Sequence, residues 1–161
     1  MYTEQELSQV KETLTKRRWL VCAPCAAVLA LAIAVFVYGQ LTRNDSLWLV
    51  TVGLTVLGGG AFLFFYGVYL RPMRYYRQHV ERMLHGVKRE TMGVWKSFSD
   101  ALCERDGISC HSMYINVGDS DEEQDDRLFY YDACKPQPAF AAGARVTVVS
   151  NDKMVADIRE A

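Results

Sequence analysis

The fold of this chain is decided by WLVCAPCAAVLALAIAVFVYGQL (residues 19–41) and LWLVTVGLTVLGGGAFLFFYGVYL (residues 47–70), which only TRNDS (residues 42–46) separates. Neither apolar stretch contains a charged residue. An α-helix rises about 1.5 Å per residue, so each stretch can cross a hydrocarbon core of about 30 Å. The sequence therefore predicts a hairpin of two transmembrane helices joined by a short external loop. A cleaved signal peptide is disfavoured, because the first stretch is too long and the second follows at once.

Basic residues flank this hairpin at both of its open ends. Between the two stretches there is only Arg43. Positive residues collect on the cytoplasmic side of membrane proteins, which predicts a multi-pass protein of the cell membrane with both termini in the cytoplasm. The flanking residues are Lys11, Lys16, Arg17 and Arg18 before the hairpin, and Arg71, Arg74, Arg77, Arg82, Lys88 and Arg89 after it.

An N-terminal cytoplasmic helix is predicted over residues 1–18. Thr3 and Glu6 form a capping box, and nothing between Glu4 and Arg18 breaks a helix. Its apolar stripe is thin, so a solvated extension near the membrane surface is favoured over a helix that docks on another part of the chain.

After the hairpin, residues 71–89 predict an amphipathic connector helix that ends near Gly86. Its basic side can contact anionic lipid headgroups through Arg71, Arg74, Arg77 and Arg82, although a topology signal alone would give the same pattern. Its apolar side must cover something, and that side consists of Met73, Tyr76, Val80, Met83, Leu84 and Val87.

Residues 90–161 predict a small cytoplasmic β domain, because apolar residues there recur with a period of two. The fold class is therefore a membrane protein of the α+β type, with a five-stranded C-terminal β-barrel of OB-like or SH3-like type. The segment from Ser99 to Arg105 fits either a loop or a short helix. The predicted strands are residues 91–98, 108–117, 128–132, 146–150 and 154–158, with turns at Asp106-Gly107 and Asn151-Asp152-Lys153.

This order of elements resembles that of the NfeD-like membrane proteins. The resemblance rests on a membrane-helix anchor before a small β domain, and on the ending AGARVTVVS (residues 142–150) followed by the strand from Met154. It implies a cytoplasmic OB-type domain and a partner among membrane-scaffolding proteins. The chain differs in the opening of its β domain, where TMGV (residues 91–94) carries only one glycine.

Small residues in the two apolar stretches predict how the helices associate. Ala26, Ala30 and Ala34 recur every four residues in the first, as Thr51, Thr55 and Gly59 do in the second. Such strips let helix backbones approach closely, which favours packing of the hairpin against itself. Homo-oligomerisation through the cluster of residues 58–60 is the alternative. No ionisable side chain lies in the middle of either stretch, which argues against an ion or proton pathway.

Cysteine and histidine residues give the candidates for zinc or thiol chemistry. Cys22 and Cys25 have the spacing of a redox motif, but they lie in an apolar helix and lack a thioredoxin-like setting. A zinc site would need Cys103, Cys110, His111 and Cys134, whose spacing matches no familiar zinc pattern. Buried thiols and a surface histidine are therefore favoured, and no cofactor is predicted.

An acidic run, GDSDEEQDD (residues 118–126), is the sharpest compositional feature of the β domain. It lacks the glycine of an EF-hand loop, so a solvated loop is favoured over a calcium site. Such a loop could be read by a basic protein partner. The candidate contact residues are Asp119, Asp121, Glu122, Glu123, Asp125 and Asp126.

No catalytic, phosphate-binding or dinucleotide motif occurs in the chain, and the β domain has no basic patch for nucleic acid. The leading hypothesis is a non-enzymatic, membrane-anchored adaptor that presents a small β-barrel to a protein partner. One alternative is a metal- or thiol-dependent regulatory domain on a membrane anchor. A second is a structural subunit of a larger membrane complex.

Overall fold

The computed structural model describes residues 1–118 and 123–161 as two compact units. One unit, the hairpin unit, comprises Val10–Arg74, and the other, the β unit, comprises Met1–Gln9 together with Tyr75–Ala161. The fold is α+β, with two long apolar helices followed by a five-stranded sheet.

The two apolar stretches form helices at the predicted places. Helix α1 runs over Glu4–Thr42 for 39 residues, with Pro24 inside it, and α2 covers Leu47–Phe65. A π-helical turn, Tyr66–Leu70, joins α2 directly to α3, Arg71–His85. Proline at position 72 clashes with the carbonyl four residues earlier in a regular α-helix, and the wider turn lies where that clash would occur. By length and composition, two helices can cross a membrane.

The hairpin unit packs along a different stripe from the predicted one. On α1 the less exposed side chains are spaced alternately four and three residues apart, as in coiled-coil packing, at residues 21, 25, 28, 32, 35 and 39. They meet residues 47, 51, 54, 58 and 62 of α2, which are also less exposed than their neighbours.

The predicted strip of Ala26, Ala30 and Ala34 is exposed, and so are Thr55 and Gly59, while Thr51 alone is half-buried as expected. A strict four-residue repeat turns by about 40° per step on a helix of 3.6 residues per turn, so it cannot keep facing one partner.

The sheet consists of five strands that are connected by hydrogen bonds in the order β1-β2-β3-β5-β4, and β4 returns to β1 so that the order closes. Among the described strands, only β3 and β5 pair in parallel. The strands are β1 (Arg89–Arg105), β2 (Ile108–Asn116), β3 (Asp126–Asp132), β4 (Arg145–Asn151) and β5 (Met154–Glu160).

The first strand is longer than predicted. Ser99–Arg105, which fits a loop or a helix by sequence, is the second half of β1 and pairs with β2. The register shifts between Trp95 and Ser97 and again between Phe98 and Leu102. Each irregularity interrupts the alternation of inward and outward residues and bends the strand. One continuous strand can therefore pair with β4 at its start and with β2 at its end.

Two tight turns between strands are confirmed. Asp106 and Gly107 have φ values of 54° and 76°, and Asp152 and Lys153 have φ values of 46° and 68°. Positive φ at both central residues is typical of the two-residue hairpin turns that match strand twist.

The interior of the sheet forms the first apolar core. Among the described residues its members come from every strand and are at most 6% exposed: Trp95, Met113, Ile115, Phe129, Tyr131, Val146, Val148 and Val155.

Candidate functional site

A second apolar core joins the start of the chain to α3 and the sheet. Tyr2 and Leu7 lie in it with Val80 and Met83 of α3, and the sheet contributes Cys110, Met154 and Ala156. The solvated extension favoured by sequence is therefore wrong for Met1–Gln9. The apolar side of α3 needs a cover, and the start of α1 supplies part of it. The capping hydrogen bond from the Glu6 amide to Thr3 Oγ1 is present at 3.2 Å.

The buried side of α3 includes one residue that its apolar pattern does not reveal. His79 is 2% exposed and sits between Tyr76 and Val80 on the side that faces the β unit. The prediction that Val87 lies on the buried apolar side is wrong, because this residue is 90% exposed. Helix α3 ends at His85, so the helical spacing that would have turned Val87 inward stops before it.

A polar cluster, Tyr2–His79–Asp132, lies within this second core. The Tyr2 hydroxyl donates to Asp132 Oδ2 at 3.0 Å and lies 2.9 Å from His79 Nε2. The other carboxylate oxygen, Oδ1, accepts the Cys134 amide at 2.8 Å. Asp132 is 0% exposed and Tyr2 is 9% exposed. Buried polar groups are costly unless they are paired, and here each carboxylate oxygen has a partner.

The hydrogen bonds of this cluster define its protonation. The Tyr2 hydroxyl has one proton, which it donates to Asp132, so His79 Nε2 must carry the proton shared with the tyrosine oxygen. Burial lowers the pKa of His79, and the nearby carboxylate of Asp132 opposes that shift only in part. Burial, reinforced by Asp132, raises the pKa of Tyr2. At neutral pH the cluster therefore holds a neutral imidazole and a neutral phenol.

A half-buried ion pair covers the cluster. Lys135 Nζ lies 2.5 Å from Glu6 Oε2 and 4.6 Å from the centre of the Tyr2 ring. Tyr76 donates to Glu6 Oε1 at 2.9 Å, and burial raises the pKa of this tyrosine. The start of α1, α3 and the segment after β3 thus share one hydrogen-bond network. His79 is 2% exposed and Asp132 is 0% exposed, so this network lies in the interior and stabilises the contact among the three segments.

The predicted cysteine and histidine set is brought together only in part. Cys103 and Cys110 are directly opposite one another on β1 and β2, with their sulfur atoms 3.3 Å apart. His111 is the next residue after Cys110, so it points to the other face of the sheet, where Nδ1 lies 3.2 Å from the Ser99 carbonyl oxygen. Cys134 is exposed, and its backbone belongs to the polar cluster. Within residues 1–118 and 123–161, no group of three or more potential ligands could hold a metal ion.

The thiols of this set differ in environment. Burial, together with the hydrogen bond shared with the Cys103 sulfur, raises the pKa of Cys110 to about 12. Partial desolvation and the charge of Asp132 raise the pKa of Cys134. Both shifts favour the thiol over the reactive thiolate.

Two of the candidate lipid contacts, Arg74 and Arg82, have identified partners within the chain. Arg82 lies 3.5 Å from Asp106 Oδ2, and Arg74 donates to the Tyr66 hydroxyl. Arg71 and Arg74 are exposed, whereas Arg77 is half-buried. The carboxyl end of α3 thus contacts the β1–β2 turn, while Arg71 and Arg74 are exposed near its amino end.

Of the acidic run, Asp119, Asp121 and Glu122 lie outside the described residues, as does the side chain of Glu123. Asp125 belongs to a short 3₁₀ turn, and Asp126 begins β3. The Asp126 carboxylate accepts from Asn116 Nδ2 at 2.9 Å and lies 3.2 Å from Lys96 Nζ. The Asn116 hydrogen bond, helped by Lys96, lowers the pKa of Asp126. Asp126 of β3 therefore stabilises the contact of its strand with Asn116 of β2 and Lys96 of β1.

No family model, no curated protein and no solved structure matches this chain.

Sequence reasoning missed the Tyr2–His79–Asp132 cluster, although one signal was available. A histidine between Tyr76 and Val80 on an amphipathic helix falls on the apolar side, where it requires a hydrogen-bond partner. The partner could not be named, because Tyr2 and His79 are separated by 77 positions and Tyr2 and Asp132 by 130.

Proposed function

We propose that this chain is a non-enzymatic membrane adaptor, in which the hairpin unit crosses the cell membrane twice and the β unit is presented at the cytoplasmic face to a protein partner. The first support is the exposed apolar surface of the hairpin. None of the residues of α2, all of which the structure describes, is buried. A core helix of a soluble protein would be mostly buried, and contiguous apolar patches of this length indicate a membrane or a partner. A signal peptide does not account for α2, which follows another apolar helix.

The second support is the way in which the two open ends of the hairpin are attached, which indicates the topology in the membrane. The β unit contains both Met1–Gln9 and the chain from Tyr75 onward, so it holds the two open ends of the hairpin. Two ends held by one folded unit lie on the same side of a membrane. The basic residues at those ends make that side the cytoplasm.

The strand order supports an OB-type barrel for the β unit. A sheet of five strands in the order β1-β2-β3-β5-β4, with a long bent β1 paired to both β2 and β4, has the Greek-key arrangement of that class. OB-type barrels serve mainly as binding modules, which agrees with an adaptor. The resemblance to NfeD-like membrane proteins suggests a membrane-scaffolding protein as the partner class.

Crosslinking of the full chain in its native membrane tests the adaptor. One variant neutralises the acidic run through Asp119→Asn, Asp121→Asn, Glu122→Gln and Glu123→Gln. A matched control removes the same charge from exposed positions elsewhere, through Glu81→Gln, Asp100→Asn, Glu104→Gln and Glu160→Gln. We expect one protein to be crosslinked by the native chain and by the control, and to be lost with the acidic run. Loss of the same protein in both variants, or no specific crosslink with the native chain, would contradict the adaptor.

A thiol-dependent regulator is the second candidate, because Cys103 and Cys110 have their sulfur atoms 3.3 Å apart. Directly opposite residues in an antiparallel pair have Cα atoms about 4.5–5.5 Å apart, within the range that a disulfide needs. Hydrogen peroxide would accept two electrons and two protons from the thiols and leave one disulfide and two water molecules. The regulator predicts a mass loss of two hydrogens confined to this pair under mild peroxide, and reversal by a dithiol. An unchanged mass would refute the regulator and leave the adaptor as the proposed function.

A further inference from the structure

The hairpin unit contains an apolar groove between its two helices. The helices meet where a methyl group on Gly58 would lie 2.9 Å from Val28 Cγ1, and where one on Gly39 would lie 3.1 Å from Leu47 Cβ. From the Gly58 contact toward the basic end of the hairpin, they leave a space of about 850 Å³. Its walls include Leu20 and Val28 of α1 and Leu57 and Phe65 of α2, and Arg17 and Tyr69 lie at its end.

The length of the groove selects its occupant. Along α1 it runs from Arg17 to Val28, about 16 Å, and along the opposite wall from Leu54 to Tyr69, about 22 Å, at 1.5 Å per residue. One leaflet is half of a hydrocarbon core of about 30 Å. A transmembrane helix from a second copy would need a groove across the whole core. A lipid chain needs only the depth of one leaflet.

The charge of the groove selects the headgroup. Among the residues that line it, Arg17 alone is charged, and it lies at the end that the basic flanks assign to the cytoplasm. A guanidinium presents paired N–H donors that match a phosphate, and Tyr69 lines the same end of the groove. Basic pockets between membrane helices on the cytoplasmic side are typical sites for anionic headgroups.

We propose that this groove binds one anionic phospholipid of the cytoplasmic leaflet, with an acyl chain between α1 and α2 and its phosphate on Arg17. The proposal rests on the membrane insertion and topology proposed above. The lipid would fill the space that the hairpin leaves open and would fix the two helices at their cytoplasmic end.

Native mass spectrometry of the full chain in mild detergent tests the site, with phosphatidylglycerol and phosphatidylcholine of the same acyl chains as probes. Arg17→Gln removes the phosphate contact, and Arg18→Gln is the matched control, because Arg18 is exposed next to it and does not line the groove. Ala61→Phe fills the groove from α2 without touching the charge.

We expect the native chain and Arg18→Gln to retain one phosphatidylglycerol in preference to phosphatidylcholine. Arg17→Gln should weaken that binding about fivefold, the factor that corresponds to about 1 kcal/mol for one basic residue at the headgroup level. Ala61→Phe should weaken binding of both lipids. Equal retention by Arg17→Gln and Arg18→Gln, or undiminished binding by Ala61→Phe, would overturn the proposal.

Alkaline carbonate extraction of membranes separates this failure from a failure of the proposed function. A chain that moves to the soluble fraction refutes the membrane anchor and the lipid site together. A chain that stays in the membrane fraction but retains no phosphatidylglycerol refutes the lipid site alone.

Discussion

Replacing Tyr2 with phenylalanine removes one oxygen atom from the polar cluster and leaves its shape intact. The hydroxyl donates to Asp132 Oδ2 at 3.0 Å and accepts from His79 Nε2 at 2.9 Å, so both groups lose a partner. With Asp132 at 0% and His79 at 2% exposure, water cannot readily replace it. Leaving a buried polar group unpaired costs about 1–3 kcal/mol, and more when the group is charged. We expect Tyr2→Phe to lower the free energy of unfolding of the β unit by about 2–3 kcal/mol.

Urea unfolding of the full chain in mild detergent measures this change. Trp95 is 5% exposed in the sheet core and reports on the β unit once Trp19 and Trp48 have been replaced by phenylalanine. At a slope of about 1–3 kcal/mol per molar urea, the midpoint should fall by about 0.7–3 M.

Tyr114→Phe is the control for this measurement, because Tyr114 is 39% exposed and its loss of a hydroxyl should stay within about 0.5 kcal/mol. A midpoint for Tyr2→Phe equal to that of Tyr114→Phe would refute the view that the start of the chain is fastened to the β unit by this cluster.

Three further predictions follow from the same structure. Burial lowers the pKa of His79 in the folded chain, so the unfolded chain binds a proton more readily, and the free energy of unfolding should decrease as the pH falls through about 6.5. In His79→Gln, the urea midpoint should change less between pH 7.5 and about 5.5 than it does in the native chain. A methyl group on Gly107 would lie 2.6 Å from the Tyr75 ring, whereas Gly143 has a similar positive φ and open space around it. Gly107→Ala should therefore destabilise the β unit by about 1–3 kcal/mol more than Gly143→Ala in the same urea assay. In the hairpin, Gly58→Ala should lower the midpoint of thermal unfolding, followed by Trp48 fluorescence, because it adds a methyl group against Val28. Gly59→Ala adds no such contact and should leave the midpoint unchanged. Equal midpoints for the two variants would contradict the packing stripe.

The sequence anticipated the parts of the fold that depend on neighbouring residues. Composition and the rise of a helix sufficed for α1 and α2, and the end of α3 at His85 followed from Gly86. The hairpin turns at Asp106-Gly107 and Asp152-Lys153 came from local turn chemistry. Each of these features is determined within a few residues, where propensity and sterics act directly.

Long-range features were beyond such reasoning. The two register shifts in β1 break the alternation by which a strand is recognised, so the half from Ser99 onward resembled a loop. The helices pack along Val28 and Gly58, not along the predicted strip of small residues. Close approach depends on both helix surfaces at once, so a count of small residues on each helix does not identify the contact. The polar cluster joins residues from three distant segments, and only the folded chain shows that His79 and Asp132 share the Tyr2 hydroxyl.

Labelling of single cysteines in intact cells tests the central claim most directly. Ser46→Cys places a thiol in the loop between α1 and α2, and the native Cys134 is an exposed thiol of the β unit. A maleimide that cannot cross membranes is added before or after permeabilisation, and peptide mass spectrometry assigns the label. The account predicts that the thiol introduced by Ser46→Cys reacts in intact cells and that Cys134 reacts only after permeabilisation. Labelling of Cys134 in intact cells, or protection of the loop thiol until permeabilisation, would contradict a two-span anchor that holds the β unit in the cytoplasm.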